Sequence, residues 1–206
     1  MNQSYFLTSE NMIGSYGSKY EFKFHSDNPT YKIYPEYKQN SLNAPEFLSL
    51  FCIRGQKNVH TNVILLNDIL NRLDQNTIDT LQQNIFIVNT PDSFDKYHEV
   101  ENVSVIGQYK DKYYNRFDYH NIKGTNKKSQ LALEKFIHIM EGIQPISLPF
   151  ESGDFLIFKN QEVLHSRESF TAKYDGFDRW LLRVYSASNI GYLNHEEIIK
   201  GDIGCI

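Results

Sequence analysis

From Ser18 to His25 the chain reads Ser-Lys-Tyr-Glu-Phe-Lys-Phe-His. Aromatic and polar residues alternate there, which is the period of a strand. Residues 28–46, with Pro29, Pro35 and Pro45 among turn-forming residues, predict a loop. Glu46 to Gly55 is nearly continuous in apolar residues and predicts a buried strand that stops at the glycine. Residues 61–84 place Ile64, Ile69, Leu70 and Leu73 at helical spacing, with Asn76 or Thr77 as the cap of a second short helix. Asn84 to Pro91 predicts a strand, and residues 101–123 a hairpin about the polar turn Lys110–Lys112. Residues 129–141 carry the clearest helical pattern: Ser129 as cap, Leu133, Phe136, Ile137 and Met140 as an apolar stripe, and Gly142 as stop. Residues 144–150, 153–158, 162–170 and 178–185 then read as short strands separated by turns. Many short strands with a few helices at the side predict a mainly β fold with helical additions, a jelly roll (double-stranded β-helix, cupin-like). One domain is expected over 1–206, with the core over about 18–185 and helical segments over about 63–84 and 129–141.

Composition narrows the function without naming it. A chain of 206 residues can bury a sizeable core, and 40% hydrophobic with 14% aromatic content fits a folded protein. A net charge of −4 lacks the basic footprint of a nucleic-acid binder. Cys52 and Cys205, without C-x-x-C spacing, predict neither a disulfide framework nor a zinc knuckle, and the reduced cytoplasm is the expected compartment. The first residues lack the pattern of a signal peptide, and no apolar run reaches membrane-spanning length, so no membrane is expected as a partner.

The segment Arg179-Trp-Leu-Leu-Arg183-Val-Tyr185 raises a physical question. Strand side chains alternate, so Arg179, Leu181, Arg183 and Tyr185 share one face and Trp180, Leu182 and Val184 the other. Both faces are largely apolar, which predicts a strand covered on both sides. Its two guanidiniums, about 13 Å apart along the strand, then need anions, because arginine keeps its proton. The anions are either protein carboxylates or a ligand carboxylate held in a bidentate pair.

A second group of residues supplies a metal set. His25 and Asp27 form an H-x-D pair after one strand, and His165 follows another apolar strand far downstream. Two imidazoles and a carboxylate make the facial triad of non-haem iron(II) oxygenases, which leaves coordination positions open. An H-x-D pair alone is common; here the distal histidine is followed at +14 and +18 by the two arginines of one strand face. The turn about Asp175-Gly176 is expected to return the chain beside the histidine strand. An anion receptor next to a metal ligand fits a cosubstrate with a 2-oxo acid at one end and a carboxylate at the other, 2-oxoglutarate. His25 has the strand parity of Glu21 and Lys23, so the strand must bulge or end before it, or its polar face must be the inner one. His60, His98, His138 and His195 show no partner pattern.

On "FHSDN", "FLSLFCIRG" and the block from Gly153 to Tyr185, the chain resembles the Fe(II)/2-oxoglutarate dioxygenases of the clavaminate synthase-like group in the taurine dioxygenase superfamily, and among them the hydroxylases of free amino acids such as asparagine and arginine. The resemblance implies that His25, Asp27 and His165 bind Fe(II), and that Arg179 pairs with the far carboxylate of 2-oxoglutarate with support from Thr61. It implies that Arg183 holds a substrate α-carboxylate, that Asp118 recognises a substrate side chain, and that Ser15 lines the substrate pocket. The cosubstrates implied are 2-oxoglutarate and O2, and the substrate a free amino acid or similar small molecule. With iron bound, the proline- and tyrosine-containing loop at 28–46 is expected to be either a lid over it or an ordinary surface loop. Where close relatives carry Glu the acidic ligand is Asp27; a carboxylate at this place argues against a halogenase. His120 stands where arginine hydroxylases place a second acid, which counts against arginine as substrate. Only 24 residues precede His25, fewer than in family members; either this is a minimal version, completed by a second subunit in a homodimer, or another chain or a lost segment finishes the site. Two rival readings remain: a jelly-roll binding module or partner subunit without turnover, and the same cofactor chemistry leading to desaturation or cyclisation.

Overall fold

The structure is a computed structural model that describes residues 20–38, 41–91, 98–173 and 175–188. In chain order the elements are β1 (Phe22–His25), β2 (Phe47–Arg54), β3 (His60–Leu65), α1 (Leu66–Leu70), α2 (Gln75–Leu81), β4 (Phe86–Asn89), β5 (Glu99–Val103), β6 (Ile106–Tyr109), β7 (Lys112–Asn115), β8 (Ile122–Gly124), α3 (Lys127–Glu141), β9 (Ile146–Pro149), β10 (Phe155–Lys159), β11 (Val163–Arg167) and β12 (Trp180–Ser186).

Two antiparallel sheets make the jelly roll expected from the sequence. One has the order β1-β11-β3-β9 and the other β10-β2-β12. Their inner faces meet at the site described below. A smaller sheet, β5-β4-β8, and the β6-β7 hairpin lie to the side. The first sheet is covered twice. On its far side Ile64 and Leu164, directly opposite each other on β3 and β11, enter the main core with Leu66, Ile69, Leu133, Phe136 and Met140 from the helices. All of β11 is therefore buried, which makes it a rigid mount for His165. The inner cluster of Leu48, Leu50, Cys52, Phe150 and Leu181 packs within the second sheet.

Several expectations change. Residues 61–65 are strand, not helix. Thr61, Val63 and Ile64 include β-branched side chains suited to a pleated surface, and their backbone groups pair with β11 and β9. Helix begins only at Leu66, and α2 is capped by Asp74, whose carboxylate accepts from the Thr77 amide, rather than by Asn76 or Thr77. Helix α3 starts two residues before Ser129. Asn126 is its cap, and Ser129 closes a reciprocal capping box with it; Gly142 ends the helix as expected. The hairpin is confined to Ile106–Asn115, and Ile122–Gly124 forms a separate strand beside β4.

Strand β12 is not covered on both sides. Its inner face carries Leu181, Arg183 and Tyr185 opposite Cys52, Leu50 and Leu48. On the outer face, Phe155, Phe51 and Leu182 form one row across the sheet, and Ile157, Ser49 and Val184 the next. Phe155 is 62% exposed, Val184 58% and Ile157 53%. Nor does β12 return beside β11. It joins the opposite sheet, so the arginines face His165 across the sandwich. Among the described residues no helix is long and apolar enough to cross a membrane.

Candidate metal centre

The centre starts at the end of β1. Phe22 lies opposite Arg167 and His25 opposite His165, three residues apart on one strand and two on the other. This irregularity is a bulge, one of the three outcomes that the parity of His25 left open. It turns His25 inward, where its ring stacks on Phe22 at 4.0 Å and lies 4.2 Å from the ring of His165. The chain then turns sharply, with Asn28 in the left-handed region at φ 57°. Asn160, fully buried after β10, grips the backbone of Asp27 on both sides: its Oδ1 accepts from the Asp27 amide at 2.8 Å and its Nδ2 donates to the Asp27 carbonyl at 3.0 Å.

One nitrogen each from His25 and His165 and one oxygen from Asp27 lie within 4.8 Å of one another, and all three residues are buried. Asp27 Oδ1 is 3.3 Å from His25 Nε2 and 3.7 Å from His165 Nε2. His25 Nδ1 meets the Lys23 carbonyl at 2.8 Å; with the proton there, Nε2 presents its lone pair to the centre. His25 Nε2 is buried and has no hydrogen-bond partner among the described residues. Such a nitrogen, converging with a second imidazole and a carboxylate, fits a borderline divalent ion such as Fe(II).

The other oxygen of Asp27 is already engaged. Oδ2 accepts from Arg183 Nη1 at 3.0 Å and from the Tyr185 hydroxyl at 3.1 Å. Burial alone would raise the carboxyl pKa, but Arg183 and the two histidines hold it far below the usual range. Burial pulls His25 down, and the Asp27 carboxylate beside it outweighs burial to give a net rise. For His165, burial and then His25 dominate, and its pKa falls to about 3.

Arg179, 8% exposed, sits on the same inner face. Its Nη2 donates to Thr61 Oγ1 at 3.0 Å, and its guanidinium lies 5.9 Å from the centre of the Phe150 ring. Arg179 Nε has no hydrogen-bond partner, and no carboxylate is within ion-pair distance of Arg179, among the described residues. A small cavity runs between the two groups, lined by His25, Thr61, His165, Arg167, Arg179 and Arg183 among others. The two arginines thus divide the alternatives that the sequence left open. Arg183 meets a protein carboxylate, that of the metal set itself; Arg179 meets a hydroxyl and a cavity.

Asp118 is buried beside His25, joined to it by an isolated β-bridge, but it does not line the cavity. Its Oδ1 accepts from the His120 and Asn121 amides and the Asn121 side chain, closing a tight turn. Ser15 lies outside the described residues. So does His195. His60 has a partner after all, Glu168 Oε2 at 2.9 Å. The loop at 28–46 does not line the cavity and is anchored rather than lid-like: Asn160 donates to Pro45 O, Gln161 to Ala44 O, and buried Arg116 pairs with Glu36. A larger pocket, about 440 Å³, lies by Tyr34, Tyr109, Tyr114 and Lys159 and holds none of the metal set.

Three residues of the centre escape the sequence reading: Tyr185, Asn160 and Arg167. Tyr185 and Arg167 were within reach of it, since each shares strand parity with a chosen residue, Arg183 and His165 respectively. Asn160 was not, because its contact with Asp27 spans 133 positions.

A jelly roll carrying a two-histidine, one-carboxylate cluster on its inner face has the fold of the non-haem iron oxygenases. The solved structures that resemble it agree. Asparagine oxygenase in complex with Fe(II), 3-hydroxyasparagine and succinate matches with a TM-score of 0.73 and 21% identity, over 87% of this chain and 54% of that one. The non-haem iron oxygenase OrfP with Fe and alpha-ketoglutaric acid matches with a TM-score of 0.67 and 22% identity, over 83% and 51%. In sequence the chain is 25% identical over 173 residues to enduracididine beta-hydroxylase of Streptomyces hygroscopicus, covering 70% of this chain and 50% of that protein. It is 36% identical over 64 residues to the L-ornithine/L-arginine 3-hydroxylase of Catenulispora acidiphila, covering 30% and 19%. The chain thus spans at most half the length of these two relatives. No family model matches it.

Proposed function

We propose that this chain carries the iron and cosubstrate centre of an Fe(II)/2-oxoglutarate-dependent oxygenase that hydroxylates an unactivated C–H bond of a free amino acid. The observation that carries this reading is the convergence of His25, Asp27 and His165 within 4.8 Å, on the same inner surface as a buried Arg179 that meets no described carboxylate. Iron(II) bound there, with a 2-oxo acid and dioxygen, supplies the oxidant; one oxygen atom enters the substrate C–H bond and the other enters succinate, with loss of CO2. The names of the relatives, hydroxylases of enduracididine and of ornithine and arginine, support an amino-acid substrate.

The chain's own residues do the rest. His25 and His165 give neutral imidazole donors, and Asp27 gives one carboxylate oxygen while Arg183 and Tyr185 retain the other. Arg179 and Thr61 receive the far carboxylate of the cosubstrate, and the Thr61 hydroxyl, which accepts from Arg179, keeps its own proton to donate. Arg183 reaches a substrate α-carboxylate by sharing its fork between that group and Asp27. Burial excludes water and strengthens each of these pairs. Asp118 and Ser15 are kept as substrate-side residues, the former by its place next to His25.

Succinate release from 2-oxoglutarate, measured over a panel of free amino acids with Fe(II) and ascorbate, tests the reading. Turnover that requires oxygen and iron and disappears in Asp27→Ala is expected. Failure of iron-dependent 2-oxoglutarate binding rules it out. Product mass separates hydroxylation from desaturation or cyclisation.

We also propose that a second copy of this chain packs on the outer face of the β10-β2-β12 sheet. Exposed Phe51, Phe155, Ile157 and Val184 support this, since folded surfaces rarely leave such a row bare. Sedimentation of the purified chain, alone and with Phe155→Lys, tests it: the variant is expected to sediment as the smaller species. The cytoplasm is the compartment we assign, in keeping with the free buried thiol of Cys52.

A further inference from the structure

We propose that Phe158 is the positioning residue for His165, fixing by ring contact the direction of this metal ligand's imidazole. The assignment rests on the oxygenase reading above and deepens it.

The two histidines of the centre are supported differently. A histidine on a metal usually donates its second ring N–H to an acceptor, which fixes the ring. His25 has such an acceptor: its Nδ1 meets the Lys23 carbonyl at 2.8 Å. The Nδ1 of His165 is buried and has no hydrogen-bond partner among the described residues. The backbone of His165 is fixed, because β11 is buried throughout and paired with β1 on one side and β3 on the other. That leaves the rotation of the ring about its Cβ–Cγ bond, a torsion with broad minima. Where no acceptor sets this rotation, the surfaces against the ring must.

Two rings supply such surfaces. The His25 ring lies 4.2 Å from that of His165 with 47° between their planes, and the Phe158 ring lies 5.2 Å away with 54°. With Phe22 stacked on His25 at 4.0 Å, the rings form a file: Phe22, His25, His165, Phe158. The first three belong to one sheet. Phe158 belongs to β10 in the facing sheet, where it stands opposite Leu48 and packs, partly buried, on the inner apolar cluster. It closes the file from across the sandwich, in the tilted arrangement that aromatic pairs favour. Of the two rings against His165, only Phe158 is not itself a ligand. It also stands two residues before Asn160, whose side chain grips the backbone of Asp27 on both sides. One short segment, the end of β10 and the residue after it, thus steadies two of the three metal ligands: Asp27 through hydrogen bonds and His165 through a ring.

The test is an anaerobic titration of the full chain with Co(II), followed through the visible ligand-field absorption of the ion, which reports the centre without turnover. Phe158→Leu keeps an apolar side chain and removes the ring. It is expected to weaken Co(II) about tenfold, the scale for side chains that aim a metal ligand, and to shift the absorption. Phe158→Tyr keeps the ring and is expected to bind Co(II) within about twofold of the parent. In His165→Ala, which leaves His25 and Asp27, adding Phe158→Leu is expected to change the affinity by less than about twofold, because the ring acts through His165. Phe158→Met stands in if the leucine variant does not fold. Unchanged affinity in the leucine variant, equal losses in the leucine and tyrosine variants, or a leucine effect that persists in full without His165 overturns the assignment and leaves Phe158 a packing residue. A parent chain that binds no Co(II) overturns the metal centre and the oxygenase reading, and this assignment with them.

Discussion

Arg183 Nη1 and Asp27 Oδ2 lie 3.0 Å apart with their side chains 9% and 4% exposed, so the metal set comes with its own counter-charge. The ion pair joins the two sheets and divides the carboxylate: one oxygen for the arginine and tyrosine, the other for the histidines. A metal ion arriving at this centre finds an oriented oxygen rather than a rotating group.

Removing the arginine leaves a buried carboxylate with less compensation, and breaking such a pair costs about 3–5 kcal/mol. Arg183→Met is expected to lose about 3 kcal/mol of stability without metal. Urea unfolding checks this, and added Fe(II) or Mn(II), which binds only the folded centre, is expected to restore part of the loss.

Tyr185 contributes a single hydroxyl to the same oxygen. Tyr185→Phe keeps the ring and loses the hydrogen bond that orients Asp27. Metal affinity is expected to fall about tenfold with the fold intact, as for other residues that orient metal ligands. Competition against a fluorescent chelator under anaerobic conditions measures it, and circular dichroism serves as the control.

Gly55 joins the end of β2 to the floor of the arginine site. A Cβ added there would stand 1.9 Å from the Phe150 carbonyl oxygen, a backbone atom that cannot swing away. Since Arg179 lies over the Phe150 ring, Gly55→Ala is expected to weaken 2-oxoglutarate binding while leaving the affinity for Fe(II) close to that of the parent chain. Parallel titrations of the two ligands separate the effects; equal losses in both would mean that the whole inner face had shifted.

Helix α3 backs the sheet that holds His165, and Asn126 begins it with a capping box. Asn126→Ala is expected to cost about 1 kcal/mol and to lower the melting temperature by about 2–4 °C. Differential scanning calorimetry checks it. Succinate release at low temperature is expected to be unchanged, because the cap touches no residue of the centre.

The parts of this centre that were legible in the sequence are those governed by one strand's alternation. Arg179, Arg183 and Tyr185 share a face because they are two apart, and that inference needs no partner strand. The conflict before His25 was legible for the same reason, since its parity opposed an inward direction; that a bulge resolves it, rather than a strand end or a polar inner face, was not. Alternation does not say which sheet a strand joins, and so β12 was expected beside β11 when it lies across from it. Nor does it say what covers a face, and the outer side of β12 was expected to be buried. The error over Thr61–Leu65 has a different origin. Ile64, Ile69 and Leu70 satisfy helical spacing, and only hydrogen bonds to β9 and β11, residues far along the chain, decide that the first five positions extend. Those same bonds put Thr61 opposite Arg167. The grip of Asn160 on Asp27 is non-local in the same way, and no local pattern announces it.

On β12, Arg183 points to the metal set and its neighbours Leu182 and Val184 point away into water, separated by the thickness of a single strand. A backbone cannot tilt one side without tilting the other. Whatever comes to rest against the bare aliphatic side presses on the lever that aims Asp27, so docking and oxidation would share one mechanical element.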